Sequence, residues 1–253
     1  MPVPSLLAVF AHPDDEYLSA GGVLARHASA GARTAVVTAT WSADTPRAAE
    51  LAEALRILGA GTPRMLGYAD SRVPHSAPGR PRWCDAPLDE AVRELVAHLR
   101  DFRPQIVVTH DAYGGLTGHE DHVRTHRVTT LAVHAAGLER LYPDAGEPWQ
   151  PSALYLSTHP HSAARAWGGH LAPVGKAVHT VPDTRVTATV DVSPWLDRKI
   201  AAILAHRTEV TRGAAPGLVA ALPVPERDRL LGTEWYTRHD LAPTAPKETE
   251  LLA

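Results

Sequence analysis

The sequence predicts an α/β fold: a Rossmann-like, mostly parallel sheet flanked by helices, with a smaller C-terminal β/α extension. Two observations carry this. Short strand-forming runs alternate with helix-period segments through the first 160 residues, the pattern of stacked βαβ units. After residue 159 the pattern stops, and one alternating strand and one amphipathic helix follow a stretch without periodicity. The 253 residues fit a single domain, 1–253, divided into a core (5–160), a substrate-side loop, strand and helix (161–240) and a tail (241–253).

The expected core strands are Leu6 to Ala11, Arg33 to Thr40, Arg64 to Tyr68, Gln105 to His110 and Ala153 to His159. Helices are expected at Leu18 to Ser29, Arg47 to Leu58, Leu88 to Phe102 and Asp121 to Leu141, each with apolar residues three and four apart. Asp85 and Asp89 suit the start of the third helix, and Pro104 ends it. The Gly-, Pro- and His-rich stretch from His159 to Asp183 reads as a long loop. VTATVDVS (Val186 to Ser193) reads as a strand, Pro194 to Thr211 as a helix, and EWYTRHD (Glu234 to Asp240) as a short edge strand. The Pro-containing tail from Ala242 reads as frayed.

A net charge of −3 gives no basic field for nucleic acid, so none is expected as a partner. The lone Cys84 rules out an intrachain disulfide framework and any Cys-rich zinc module. A metal would therefore sit on His and carboxylates, and the 15 His leave ample choice. No run reaches the length of a membrane span, and the N-terminal apolar run lacks a basic flank, so a cytoplasmic location is the expectation. Homo-oligomerisation is left open.

The chemistry concentrates at two strand ends. His12, Asp14 and Asp15 follow the first strand, and GHEDH (Gly118 to His122) follows the fourth. In a doubly wound sheet both emerge at the C-terminal edge, so residues a hundred apart meet in one crevice. A catalytic zinc takes three protein ligands and keeps positions for water; His12, one of the two aspartates and His122 meet that need. The other aspartate is free to take a proton from the water, whose pKa the metal lowers towards ~7. His119 could face a developing oxyanion as imidazolium or pass a proton to a leaving amine, and Asp121 could fix an imidazole tautomer. HEDH is not HExxH, and a local site from His119, His122 and His126 would leave HPDD without a role. The bland reading of HPDDE as a turn and helix cap weakens once GHEDH stands at the matching strand end.

AHPDDE (Ala11 to Glu16) together with GHEDH resembles the paired motifs of the LmbE/PIG-L family of zinc-dependent N-deacetylases, whose second motif usually reads GHPDH. The resemblance extends to RAAELAEALRILGA (Arg47 to Ala60), GYADS (Gly67 to Ser71) and KIAAILAHRTEV (Lys199 to Val210), covering most of residues 5 to 210. It implies His12, Asp15 and His122 as zinc ligands, with iron (Fe) also accepted by such a set, and Asp14 as general base. It implies His119 as the His assisting at the tetrahedral intermediate and Asp121 as the acid tuning it, with Arg47 and Asp70 on the sugar hydroxyls. The implied partner is a small N-acetyl amino sugar, a glycoside or natural-product intermediate, which loses its acetyl group.

Three positions depart from the family pattern. Glu120 replaces the Pro of the second motif, Thr117 stands where some members place a carbonyl-polarising Tyr, and Arg72 stands where many have Gly. Tyr113 or a loop residue would have to supply the Tyr's oxyanion role; an anionic group on the substrate would fit Arg72, although a solvated Arg is the plainer reading. Ser19, where amidases that cut mycothiol conjugates have Lys, favours deacetylation, with the amidase as runner-up. His159, His161 and Trp167 are candidates to reach the pocket. Two further alternatives are weaker. A dinucleotide binder would need a Gly-rich turn where HPDDE puts acids, and a non-catalytic sugar binder would have no use for the base.

Overall fold

The structure, a computed structural model, describes residues 3–175 and 177–242, so the expected frayed tail lies almost wholly outside the described residues. Seven strands form one sheet in the order β3-β2-β1-β4-β5-β7-β6. The first five are β1 (Leu6–Phe10), β2 (Thr34–Thr40), β3 (Pro63–Tyr68), β4 (Ile106–His110) and β5 (Ala153–Thr158), all parallel and close to the expected bounds. β1 and β2 are buried along their whole length because helices cover both faces of the sheet. Successive side chains of β1 part accordingly. Leu7 and Val9 join the core under α3 (Leu88–Phe102) and α4 (Glu120–Ala135). Leu6, Ala8 and Phe10 join the core under α1 (Asp15–Ser29) and α2 (Pro46–Leu58).

Local chemistry sets the helix ends. Thr45 caps α2 by accepting from the Ala48 N–H, Pro46 fits the first turn, and Gly59 closes the helix at φ 74°. α1 starts three residues before the expected Leu18, with Asp15 and Glu16 in its first turn. α4 ends at Ala135 rather than Leu141, and α3 begins after Pro87 rather than on a side-chain cap from Asp85.

The C-terminal third departs further from expectation. The segment expected as a loop from His159 contains α5 (His161–Leu171), an Ala-rich stretch whose Gly168–Gly169 pair hides the helical pattern and whose Leu171 is buried. The helix expected over Pro194 to Thr211 is two, α6 (Leu196–Ala205) and α7 (Arg207–Arg212), broken at His206. Two short helices with Pro in their first turns, α8 (Ala215–Ala221) and α9 (Val224–Leu231), fill the stretch that follows. They carry Val219, Leu230 and Leu231 into a third apolar cluster with Tyr17, Leu196, Ile200 and Ile203. The expected short edge strand is the eight-residue β7 (Thr233–Asp240). It lies inside the sheet, antiparallel to β5 and to the true edge strand β6 (Ala188–Asp191).

Buried polar contacts stitch β7 to α1. Glu234 accepts from the Gly22 and Val23 amides (2.8 and 3.0 Å) and from Lys199 Nζ (2.8 Å), and the Tyr236 hydroxyl donates to the Ser19 carbonyl (3.0 Å). Gly22 is required for this packing, since a Cβ there would lie 2.3 Å from Val192 Cβ. Among the described residues no helix is long and apolar enough to cross a membrane.

Candidate active site

β1 and β4 are neighbours from which the chain proceeds in opposite directions, through β2 and β3 on one side and β5 on the other. Their C-terminal ends therefore open on the crevice where α/β sheets hold ligands. His12, Asp14 and Asp15 come from the first end and His119, Asp121 and His122 from the second. Arg47 enters from α2 and Asp70 from the turn after β3. With Ser19, Thr117, His159 and Trp167, all of these but Asp121 line one cavity of about 420 Å³.

Donor atoms of three residues meet at one point, Asp15 turning a different carboxylate oxygen to each imidazole. His12 Nδ1 lies 3.1 Å from Asp15 Oδ2 and 3.2 Å from His122 Nε2, which is 3.2 Å from Asp15 Oδ1. A tetrahedral centre with bonds of ~2.0–2.1 Å holds its ligand atoms ~3.3–3.4 Å apart, so the triangle is close to the size a divalent metal needs. The tautomers agree. His12 Nε2 donates to Asp121 Oδ2 (3.1 Å), and His122 Nδ1 donates to the Gly114 carbonyl (3.0 Å). With a metal at the shared point, each ring would turn a lone pair, not a proton, towards it.

The electrostatics agree. Burial works against charge on His12, yet Asp15, Asp121 and Asp70 push its pKa up to about 10, so without a metal the ring holds both protons and a metal would displace the one on Nδ1. Burial likewise opposes the Asp15 carboxylate, but His122 and His12 hold it well below the usual range. Asp14 behaves differently. Burial, against the pull of Arg47, pushes it up to about 6, near the working range of a general base. Its backbone is also unusual, at φ 151° and ψ −14°, a conformation that costs a non-glycine residue on the order of 1–3 kcal/mol.

His119 caps α4 and accepts the Asp121 N–H at Nδ1 (3.1 Å), which leaves the ring proton on Nε2. Burial and the neighbouring His12, His122 and Arg72 lower its pKa to about 4. The expected imidazolium is therefore a neutral N–H donor. The Asp121 carboxylate is fully buried and serves His12 and Ser71, whose N–H donates at 2.9 Å; its Oδ2 lies 4.0 Å from His119 Nδ1, which accepts the Asp121 N–H. Asp70 accepts the Arg72 and Val73 amides (2.8 and 3.2 Å) and Trp41 Nε1 (3.3 Å) and lies 3.5 Å from His12 Nε2. Arg47, buried, donates from Nη2 to Asp14 Oδ1 (2.6 Å) and the Pro13 carbonyl (2.8 Å), so it holds the loop of the base as well as facing the cavity.

The departures from the family pattern resolve in pairs. Arg72 and Glu120 bind each other in a two-point ion pair (Nε–Oε1 3.0 Å, Nη2–Oε2 2.5 Å), so the extra cation already has its anion. Tyr113 is 52% exposed, stacks on His179 and does not line the cavity, so it does not replace the tyrosine phenol absent at Thr117. His161 turns to Thr180 Oγ1 instead of the cavity.

Sequence reasoning missed His110, which ends β4, stacks flat on His122 (4.1 Å between centroids) and lies 3.6 Å from Asp15. Burial, with His122 beside it, lowers its pKa to about 3 and keeps it neutral. Its place at the same strand end as GHEDH was the available signal. Also missed were His206 and Glu209 from the junction of α6 and α7, which pair with Glu16 and Arg47.

Residues 7–133 match the family described as PIG-L, GlcNAc-PI de-N-acetylase. The 1D-myo-inositol 2-acetamido-2-deoxy-alpha-D-glucopyranoside deacetylase of Rhodococcus opacus (strain B4) is 40% identical, over 94% of this chain and 87% of its own length. Two solved structures share the fold. The N,N'-diacetylchitobiose deacetylase of Pyrococcus horikoshii does so with TM-score 0.64 and 19% identity, over 94% of this chain and 84% of its own. The 4-carboxy-2-hydroxymuconate hydratase of Pseudomonas putida KT2440 follows with TM-score 0.57 and 21% identity, over 99% and 100%. A hydratase on the same scaffold shows that the fold alone does not fix the reaction. The family match, the relative at 40% identity and the His/Asp cluster do: the chain belongs to the PIG-L family and is a hydrolase of the N-deacetylase type.

Proposed function

We propose that the protein removes the acetyl group from an N-acetylglucosamine unit linked to a small polyol, the substrate type in the name of its Rhodococcus relative. One observation carries the reading: His12 Nδ1, His122 Nε2 and the Asp15 carboxylate converge on one point while Asp14, left out of that cluster, faces the same cavity. A metal held by His12, Asp15 and His122 would polarise the acetyl carbonyl and acidify a water; zinc suits two imidazoles and a carboxylate, and ferrous iron fits the same set. Asp14 takes the proton of the attacking water as the water oxygen bonds to the acetyl carbon. His119 Nε2–H donates to the carbonyl oxygen as charge builds there. The C–N bond then breaks, the proton on Asp14 passes to the departing nitrogen, and acetate and the free amine leave. Arg47 and Asp70, on the cavity wall beside these groups, hold the sugar hydroxyls. Ser19 favours this over the amidase reaction.

Acetate release tests the proposal. N-acetylglucosaminyl-inositol, simpler N-acetylglucosaminides and an N-acyl-cysteinyl amide of glucosaminyl-inositol are offered to chelator-stripped, zinc-loaded and iron-loaded protein. The expected result is metal-dependent acetate release from the first substrate. Cleavage of the cysteinyl amide alone moves the assignment to the amidase, and no release of acetate by either metal form overturns it.

A further inference from the structure

We infer that His206, acting through Glu16, is a positioning residue that locks Asp14 in its catalytic conformation; this rests on Asp14 being the base. Neither His206 nor Glu16 lines the cavity, so neither touches substrate. Both are fully buried, and His206 Nε2 meets Glu16 Oε1 at 3.0 Å. The other Glu16 oxygen accepts the N–H of Asp14 at 3.0 Å, at the residue whose φ of 151° no side chain favours. That hydrogen bond holds the unusual backbone in place from behind. A second tether comes from the same source: Glu209, three residues after His206, lies 3.5 Å from Arg47 Nη1, and Arg47 Nη2 grips Asp14 Oδ1.

The break between α6 and α7 thereby acquires a purpose. His206 leaves helical geometry (φ −79°, ψ 64°), so one junction presents both His206 and Glu209 to the loop of the base. The Tyr17 ring packs on His206 at 4.9 Å and fills the remaining space. An apolar pair of the same volume would serve stability at least as well. What an apolar pair lacks is an acceptor for the Asp14 amide. Released from Glu16, that residue can relax to an ordinary φ and carry its carboxylate away from the water it must deprotonate.

Two variants at one position separate positioning from packing. His206→Gln places an amide nitrogen where Nε2 stood and can still donate to Glu16, whereas the shorter His206→Asn cannot reach it. His206→Asn should lower kcat roughly ten- to hundredfold while KM and bound metal stay at parental values. His206→Gln should restore kcat to within about threefold of the parent. Equal kcat in the two variants overturns the inference, as does a loss confined to KM or metal content. Should His206→Asn fail to fold, Glu16→Met takes its place, similar in size but without an acceptor for the Asp14 amide: the inference expects the same fall in kcat, and parental kcat overturns it. If neither folds, the pair serves folding and the inference fails. An active Asp14→Asn enzyme would sink the base assignment itself, whereas a dead Asp14→Asn beside a fully active His206→Asn sinks only this inference.

Discussion

The parallel half of the molecule, through β5, and the segment after it divide the work unequally. The first supplies every member of the donor triangle and the base, each within five residues of the end of β1 or in the turn of α4 after β4. The second supplies no donor atom to the triangle. It contributes His159, Trp167 and Leu171 to the cavity wall, Glu209 to Arg47, and Lys199 with Glu234 to the underside of α1. Chemistry is thus fixed by strand ends that a parallel sheet aligns automatically, while shape and restraint come from helices that must be packed individually.

The sharpest test of this division is at the strand ends. His12→Ala should abolish both metal binding and turnover, whereas Asp14→Asn should keep the metal and lose about 10²–10⁴ in kcat; metal analysis beside acetate release distinguishes them. If Asp14→Asn also loses metal, the base and the ligands are one unit. The pH profile follows with a tenfold change per unit. Because burial raises Asp14 to about 6 and only its carboxylate accepts a proton, kcat/KM should fall as pH drops through that value. A bound divalent cation favours the carboxylate and moves the limb lower, so a limb above about 7 would indicate another base.

Effects in the C-terminal segment should be smaller on chemistry and larger on stability. Lys199→Ala leaves Glu234 buried without its cation and should cost about 3–5 kcal/mol, read from denaturant midpoints, with kcat in the folded fraction unchanged. A fall in kcat at full folding would mean that β7 reaches the site through α1. Trp167→Ala removes half-buried apolar surface from the cavity wall and should raise KM severalfold, on the order of 1–2 kcal/mol, with kcat within twofold. No change in KM would leave the wall without a role in binding.

The same division governs what the sequence made legible. β1 and β2 announce themselves because buried parallel strands are continuous apolar runs, and HPDDE and GHEDH stand out because each adjoins such a run. From α5 onward the signals are weak. Gly168 and Gly169 argue against a helix that tertiary contacts nevertheless form, and α8 and α9 are too short to show a period. β7 looked like an edge because its charged residues suggest one, although it is paired on both sides. His206 was visible only as part of a weak matching block, since nothing in local sequence reveals a partner 190 residues away. That Asp121 could fix an imidazole was readable in the sequence, but which imidazole was not: its carboxylate bonds His12, 109 residues away, rather than its neighbour in sequence, His119.

The Arg72–Glu120 pair constrains how either position can be exchanged. Both groups are largely solvent-exposed, so the bond itself is worth at most about 1 kcal/mol. Its weight lies in how the two sites can change. Restoring Pro at 120 alone strands a cation at the rim of the cavity, and restoring Gly at 72 alone strands an anion beside His119. Either single step alters the charge that a substrate meets on entry, and only the double step returns it to neutral. The two positions are therefore best exchanged together.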